Sequence, residues 1–140
     1  MSKPTVALVT GCFDLLHYGH FKFLKFAKSK ATTLIVALES DAFLKKNKGP
    51  SRPLFSQKNR LFCLSQIKSV DQIIPLSKNT NYLKLLQNLH PDFLIISSND
   101  SKYKEKHQIC QQLDIKLIIF PRLKNYSTSK IISSDILESH

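Results

Sequence analysis

Two histidines three positions apart stand near the start of the chain, in the decapeptide GCFDLLHYGH of residues 11–20. His17 and His20 share one face if the segment is helical, because side chains at i and i+3 are neighbours on a helix. Imidazole rings are poor residues for a hydrophobic core, but they donate hydrogen bonds to anions and bind metals. Their types and spacing therefore predict a polar site.

Glycines surround this pair, although the chain contains only three in all. Gly11 would allow a tight turn and expose backbone N–H groups, and Gly19 would remove bulk where a ligand comes close. A helix that starts at about Leu15 or Leu16 would point its positive N-terminal end at the same space. These features together predict a phosphate-binding site in which the two rings donate hydrogen bonds to a polyphosphate.

The same two histidines could instead be metal ligands, with Cys12 as a third. No convincing fourth ligand lies nearby, and a metal site gives the glycines no purpose. The other cysteines, Cys63 and Cys110, are widely spaced and form no CxxC motif. This usage is typical of a reduced intracellular protein without a disulfide framework, and it predicts a cytoplasmic location.

The elements that must position the decapeptide follow from hydrophobic patterning. Short apolar, β-branched runs predict strands, and apolar residues at helical spacing between polar ones predict helices. Strands are predicted over residues 5–10, 33–38, 72–75, 92–97 and 116–120. Helices are predicted over residues 18–30, 57–67, 81–89 and 102–113, and from Ser127 onward.

Strand and helix alternate along the chain, which predicts a parallel sheet with right-handed crossovers. The fold class is therefore α/β, a Rossmann-like five-stranded parallel sheet with helices on both faces, in a single domain of residues 1–140. Residues 41–53, which are basic and broken by glycine and proline, are predicted to be a loop. Ligands of such sheets bind beyond the carboxyl ends of the strands, where the decapeptide lies.

The formal net charge is +11 over 140 residues, and 42% of the residues are hydrophobic. A basic balance favours anionic partners such as phosphorylated small molecules, nucleic acid or a membrane surface. A nucleic-acid-binding module would also need exposed aromatic residues among the basic ones, whereas the phenylalanines here mostly fall at core spacing. No apolar run is long enough to span a bilayer, so we expect no membrane partner. The core spacing of the phenylalanines leads us to expect no nucleic-acid partner either.

The decapeptide resembles the HxGH signature of the cytidylyltransferase-like nucleotidyltransferases. Its matching positions are Gly11, Phe13, Asp14, His17, Gly19 and His20. Residues 40–53 and 57–71 are similar to bacterial heptose-phosphate adenylyltransferase domains, and residues 126–132 to the family's second nucleotide-binding motif. The chain departs from many relatives at Ser98-Asn99-Asp100, where they carry a glycine-containing turn.

The resemblance implies transfer of a nucleoside monophosphate from ATP or CTP to a phosphorylated acceptor, with release of pyrophosphate. The acceptor would be a sugar 1-phosphate; glycerol 3-phosphate with CTP is the alternative, and a flavin-type acceptor comes third. The resemblance also implies Mg²⁺ as a cofactor and a homodimer.

The same resemblance assigns roles to single residues. His17, His20 and Lys45 would be catalytic, and Asp14 and Lys45 would bind the acceptor, although Asp14 could equally cap the first helix. The residues expected to bind the nucleotide are Gly11, Cys12, Phe13, Gly19, Lys48, Arg52, Arg60, Asp100, Ser127 and Thr128. Among them, Arg60 would hold the departing phosphates, and the loop that carries Lys48 and Arg52 would fold over the triphosphate.

Overall fold

The computed structural model describes residues 3–121. The strands are β1 (Val6–Gly11), β2 (Thr33–Leu38), β3 (Gln72–Pro75), β4 (Phe93–Ser97) and β5 (Lys116–Phe120). The helices are α1 (Tyr18–Lys28), α2 (Asp41–Lys48), α3 (Gln57–Ser65), α4 (Tyr82–Leu89) and α5 (Tyr103–Leu113). The expected C-terminal helix, with Ser127 and Thr128, lies outside the described residues.

All five strands are parallel and lie in the order β3-β2-β1-β4-β5. The chain therefore runs outward from β1 to one edge of the sheet and then returns to build the other half from β4. The strand order reverses between β1 and β4, and a crevice opens at the carboxyl ends of strands at such a point. The predicted α/β fold class is confirmed.

Helices cover both faces of the sheet because the central strands are apolar on both sides. Along β1, Ala7 and Val9 belong to one buried cluster, whereas Leu8 belongs to the other. The first cluster includes residues of α1 and α3, and the second includes residues of α4 and α5. Alternate side chains of a strand point to opposite faces, so a strand buried on both sides becomes a continuous apolar run.

The prediction of a loop over residues 41–53 is wrong for its first part, because residues 41–48 form α2. The Ser40 hydroxyl caps this helix by accepting the Phe43 N–H at 3.1 Å. Leu44, a residue of this helix, is fully buried. Gly49 then ends the helix with a φ of 111°, a conformation that glycine adopts without strain. The breakers therefore mark the end of a helix rather than a loop throughout.

The predicted alternation of one strand with one helix also fails at this point, because α2 and α3 both lie between β2 and β3. In α1, Phe21 is 46% exposed although its spacing suggested a core position. Within residues 3–121, no helix is long and apolar enough to cross a membrane.

Candidate active site

A cavity of about 410 Å³ opens at the point where the strand order reverses. It brings together most of the residues that the sequence nominated. Those lining it are Gly11, Cys12, Phe13, Asp14, His17, Gly19, His20, Lys48, Arg52 and Asp100. Among the described candidates, Lys45 and Arg60 are absent from the lining.

The two histidines form the N-terminal cap of α1. The Nδ1 atom of His17 accepts the Gly19 N–H at 3.0 Å, and Nδ1 of His20 accepts the His17 N–H at 3.3 Å. This is the reciprocal arrangement of a capping box, here built from two imidazoles. The helix therefore begins at Tyr18, not at Leu15 or Leu16, because the capping geometry fixes His17 as the last extended residue.

The capping bonds determine the tautomer of each ring when it is neutral. Because Nδ1 accepts a backbone N–H in both residues, the proton lies on Nε2. The rings are stacked, with centroids 3.9 Å apart. Burial, reinforced by His17, lowers the pKa of His20 to about 3, although a backbone hydrogen bond with Leu15 acts in the opposite direction. At neutral pH, His20 is therefore an uncharged hydrogen-bond donor through Nε2.

Gly11 is required by the close approach of an aromatic ring. It is the last residue of β1, and a Cβ atom at this position would lie 2.7 Å from Cε2 of Phe13. Phe13 itself takes the left-handed conformation, with a φ of 49°, and its ring lies 5.3 Å from that of His20. The turn expected at Gly11 is thus made at Phe13. The missing side chain of Gly11 leaves room for the Phe13 ring.

Asp14 fixes the segment that follows α2. Its carboxylate accepts hydrogen bonds from Arg52 Nε at 2.7 Å and from the N–H groups of Leu54 and Phe55 at 2.8 and 3.0 Å. Burial acts to raise the pKa of Asp14, but these donors outweigh it and lower the pKa. Asp14 therefore does not cap α1, since His17 does so.

The ion pair with Asp14 also bears on the expectation that the segment carrying Lys48 and Arg52 folds over the triphosphate as a lid. Arg52 is only 7% exposed, and Nε of its guanidinium is committed to the Asp14 carboxylate. The segment is thus tied at Asp14 to the loop between β1 and α1, whereas a lid would need to move freely. Arg52 still lines the cavity and presents its positive charge there.

Arg60 is a buried residue that joins several segments of the protein by hydrogen bonds. It is 1% exposed and does not line the cavity. Its guanidinium donates to the carbonyl oxygens of Cys12, Glu39 and Phe55 and to the carboxylate of Asp41, at 2.7–3.0 Å. The structure therefore does not bring Arg60 to the place where it could hold departing phosphates, because the side chain is buried away from the cavity and makes four hydrogen bonds within the protein.

The two lysines of α2 differ in position. Lys48 lines the cavity, whereas Lys45 is exposed and lies outside the lining. Cys12 lies near Lys48, but burial dominates and raises the pKa of the Cys12 thiol to about 11. A thiol that stays protonated at neutral pH is a poor nucleophile. The structure therefore does not activate the Cys12 thiol as a nucleophile for covalent catalysis.

Sequence reasoning missed a polar network on the opposite wall of the cavity. Lys106, 2% exposed, donates to Thr10 Oγ1 and to Asp100 Oδ2, each at 2.8 Å. The hydroxyl of Tyr82 donates to Oε2 of Glu39 at 2.6 Å, and Lys106 Nζ lies 4.8 Å from the centre of the Tyr82 ring. Burial raises the pKa of Glu39, while Tyr82 and Lys106 act to lower it.

The lysine had a readable signal. Lys106, Ile109 and Cys110 follow i, i+3, i+4 spacing and form the buried face of α5. A lysine on such a stripe is almost never buried without a partner, so it predicts a nearby carboxylate. The sequence does not say which one, because Asp100 and Glu39 come from different elements.

The cavity therefore has two chemically different walls. We call the wall made by His17, His20, Lys48 and Arg52 the histidine wall. We call the wall made by Glu39, Asp100 and Lys106 the carboxylate wall. The first offers hydrogen-bond donors and positive charge to an anion, and the second offers carboxylate oxygens to hydrogen-bond donors.

The described residues do not form a closed metal centre. Within residues 3–121, no three residues of the types His, Cys, Asp and Glu come together as ligands. The interpretation of His17 and His20 as a metal pair with Cys12 is therefore wrong for this part of the chain. Mg²⁺ usually keeps several waters and binds through one or two carboxylates plus substrate phosphates, so it needs no such cage.

Comparison with known proteins agrees with the geometry. The cytidylyltransferase-like family matches the chain over residues 8–138. The chain is 36% identical over 132 residues to the bifunctional protein HldE of Helicobacter pylori, and 35% identical over 131 residues to that of Sulfurimonas denitrificans. Each match covers 94% of this chain, but only 28% and 27% of those two longer proteins.

Solved structures show the same architecture. A lipopolysaccharide core biosynthesis protein from Thermoplasma volcanium superimposes with a TM-score of 0.73 at 26% identity, covering 89% of this chain and all of that one. The pantoate-beta-alanine ligase of Francisella tularensis, solved with beta-gamma ATP and beta-alanine, gives a TM-score of 0.64 at 19% identity. That match covers 99% of this chain and 72% of the ligase, and it shows the fold alone.

Proposed function

Because the chain belongs to the cytidylyltransferase-like family of nucleotidyltransferase enzymes, we propose that it transfers adenylate from ATP to a sugar 1-phosphate and releases pyrophosphate. The observation that carries this proposal is the cavity at the strand-order reversal, where His17 and His20 stand at the N-terminus of α1. A helix N-terminus with neutral donors and nearby cations suits a polyphosphate.

The reaction that this site suits is a direct displacement. An oxygen of the acceptor phosphate forms a bond to the α-phosphorus of the triphosphate, and the bond to the departing pyrophosphate breaks. Such chemistry depends on positioning and on stabilising charge that spreads over phosphate oxygens. The protonated thiol of Cys12 agrees with a reaction that needs no covalent enzyme intermediate.

The histidine wall would perform this stabilisation. His17 and His20 would donate from Nε2 to phosphate oxygens, and the positive charges of Lys48 and Arg52 would neutralise the triphosphate. The capping bonds at Nδ1 hold both rings before the substrate arrives, so little reorganisation is needed. Roles for Asp14, Lys45, Ser127 and Thr128 as direct ligands stay predictions, whereas none is proposed for the internal Arg60.

Mg²⁺ would enter with the triphosphate and supply neutralisation of its charge. The cavity fits this arrangement, because Asp100 offers a carboxylate from its lining and the remaining ligands can be phosphate oxygens and water. Assembly as a homodimer is part of the same proposal.

The choice of ATP and a sugar phosphate rests on the HldE relatives and on residues 40–53, which resemble adenylyltransferase domains. One feature departs from both kinds of relative and keeps a second candidate, CTP with glycerol 3-phosphate. Asn99 lines the cavity and is held by the Ser97 hydroxyl at 2.7 Å, in a turn where relatives usually carry glycine. A site that pairs polar groups with its ligand rejects analogues that lack them by large factors, so the exposed Asn99 in this turn can redirect the choice of base.

The test is pyrophosphate release from a panel of nucleoside triphosphates, each paired with several phosphate acceptors and Mg²⁺. We expect ATP with a sugar 1-phosphate to give the highest kcat/KM. Higher turnover with CTP and glycerol 3-phosphate would replace the first candidate by the second. An absence of pyrophosphate release from every pair, in protein shown to be folded, would contradict both.

A further inference from the structure

Glu39 is a buried acid whose backbone is clamped. It follows β2 directly, is 3% exposed and lines the cavity. Its N–H donates to the carbonyl of Gly11 at 2.9 Å, and its own carbonyl accepts from Arg60 at 3.0 Å. The side chain therefore starts from a fixed point at the end of the sheet.

The carboxylate of Glu39 is only partly used by the protein. Its Oε2 accepts the hydroxyl of Tyr82 at 2.6 Å, and within residues 3–121 this is the one hydrogen bond that the carboxylate accepts. Burying a carboxylate is costly unless its oxygens find donors. Oε1 therefore offers an acceptor to a group that enters the cavity.

The chemistry of that group follows from the two walls. A phosphate would be repelled by Glu39 and attracted to the histidine wall, so the anionic part of a substrate belongs there. A hydroxyl group suits Glu39, because hydrogen bonds to a carboxylate are short and strong. In related parallel sheets that bind dinucleotides, an acid after the first crossover binds ribose hydroxyls in this way.

We propose that Glu39, positioned by Tyr82, is a specificity-determining residue that accepts a hydrogen bond from a sugar hydroxyl of a bound substrate. The hydroxyl belongs to the ribose of the nucleotide or to the sugar acceptor, and the experiment separates the two sources. The proposal rests on the function proposed above, because that function brings both sugars into this cavity.

The experiment measures binding by calorimetry, so it does not depend on turnover. One series compares ATP with 2′-deoxy-ATP and 3′-deoxy-ATP. The other compares a hexose 1-phosphate with its 2-deoxy counterpart and with propyl phosphate, in the presence of a non-hydrolysable ATP analogue. The variants are Glu39→Gln, which keeps the shape, and the double variant Glu39→Leu/Tyr82→Phe, which removes both partners of the buried bond without leaving either unpaired.

The wild-type protein should bind the hydroxylated ligand about tenfold more tightly than the deoxygenated one in one of the two series. Both variants should reduce this ratio to about threefold or less, while the exposed control Glu105→Gln leaves it unchanged. An equal ratio in the wild type and both variants would overturn the proposal, as would a wild type without preference in either series. A preference that depends on Glu39 but comes without pyrophosphate release from any pair would uphold this proposal and contradict the proposed reaction.

Discussion

The histidine wall and the carboxylate wall line one cavity, but they are built in opposite ways. His17 and His20 come from one turn of one helix, and each is held by the backbone of that turn. Lys106 reaches Thr10 across 96 positions of sequence, and it also pairs with Asp100, six positions before it. The histidine pair of the first wall is thus a local structure, whereas the Lys106–Thr10 contact of the second exists only after the sheet and α5 have come together.

This difference explains why the sequence revealed the histidine pair but not the network around Lys106. A motif within one helical turn is contiguous in the chain, so residue types and spacing are enough to detect it. A network between distant elements needs the register of the sheet, which patterning does not supply. The predictions below test whether the two walls also divide the work, with the first serving chemistry and the second stability.

The largest effect is expected at the histidine wall. His17→Asn and His20→Gln should each lower kcat by about 10²–10⁴-fold, the usual scale for losing a positioned donor. Asparagine at the N-cap and glutamine at the third helical position both preserve a capping box, so the melting temperature should stay near that of the wild type. Pyrophosphate release and thermal unfolding measure the two quantities.

Two further variants complete this test. His17→Ala should lose the same activity and, in addition, about 1 kcal/mol of unfolding free energy, because alanine cannot cap the helix. His90→Asn serves as a control, since His90 is exposed and asparagine tolerates its left-handed conformation. Near-normal turnover in both His17→Asn and His20→Gln would remove the catalytic role of this wall.

The next effect is expected at the carboxylate wall. Lys106→Met should lower the unfolding free energy by about 3–5 kcal/mol, because it leaves Asp100, whose side chain is only 12% exposed, without its buried cation. Urea denaturation measures this loss. Lys104→Met, on the exposed face of the same helix, should change stability by no more than about 0.5 kcal/mol. Equal small losses in both variants would show that the ion pair does not hold this wall together.

A smaller effect is expected at the junction of β1 with the histidine wall. Gly11→Ala should destabilise the protein by about 1–3 kcal/mol, because the new Cβ atom collides with the buried ring of Phe13. Trimming that ring in the double variant Gly11→Ala/Phe13→Leu should recover part of the loss. If the double variant loses at least as much unfolding free energy as the two single variants lose together, the collision is not the cause.

The smallest effect concerns pH. The pKa of His20 is about 3 in the folded protein and about 6.5 in an unfolded chain. The unfolded state therefore binds more protons between these values, and stability falls as the pH drops below about 6.5. Between pH 7 and pH 5 we expect a loss of about 1–2 kcal/mol that His20→Gln lacks. Urea denaturation at both pH values, with identical losses in the two proteins, would contradict the burial of a neutral His20.

The fold was predictable because its strands are short apolar runs with clear ends. The predicted bounds of β2, β3 and β5 coincide with the observed ones, and those of β1 and β4 differ by a single residue at one or both ends. Ser56 caps α3, which was predicted from residue 57, by accepting the Asn59 N–H. In these segments local patterning and tertiary packing favour the same structure.

Prediction failed where a residue's fate depended on distant partners. Arg60 was expected to hold phosphates, but carbonyl groups from three other segments surround its guanidinium. Arg52 was expected in a loop over the substrate, but the carboxylate of Asp14, 38 positions away, holds it. A single cationic side chain looks the same in sequence whether its partner is a ligand or the protein.

The internal position of Arg60 also has a consequence for the way the protein opens. One guanidinium accounts for the carbonyl groups of Cys12, Glu39 and Phe55, which are remote from one another along the chain. If any one of these segments detaches, it leaves a buried charge with donors that lack partners. We therefore expect the end of β1, the end of β2 and the start of α3 to exchange their amide hydrogens as one cooperative unit, so that the base of the cavity opens as a whole.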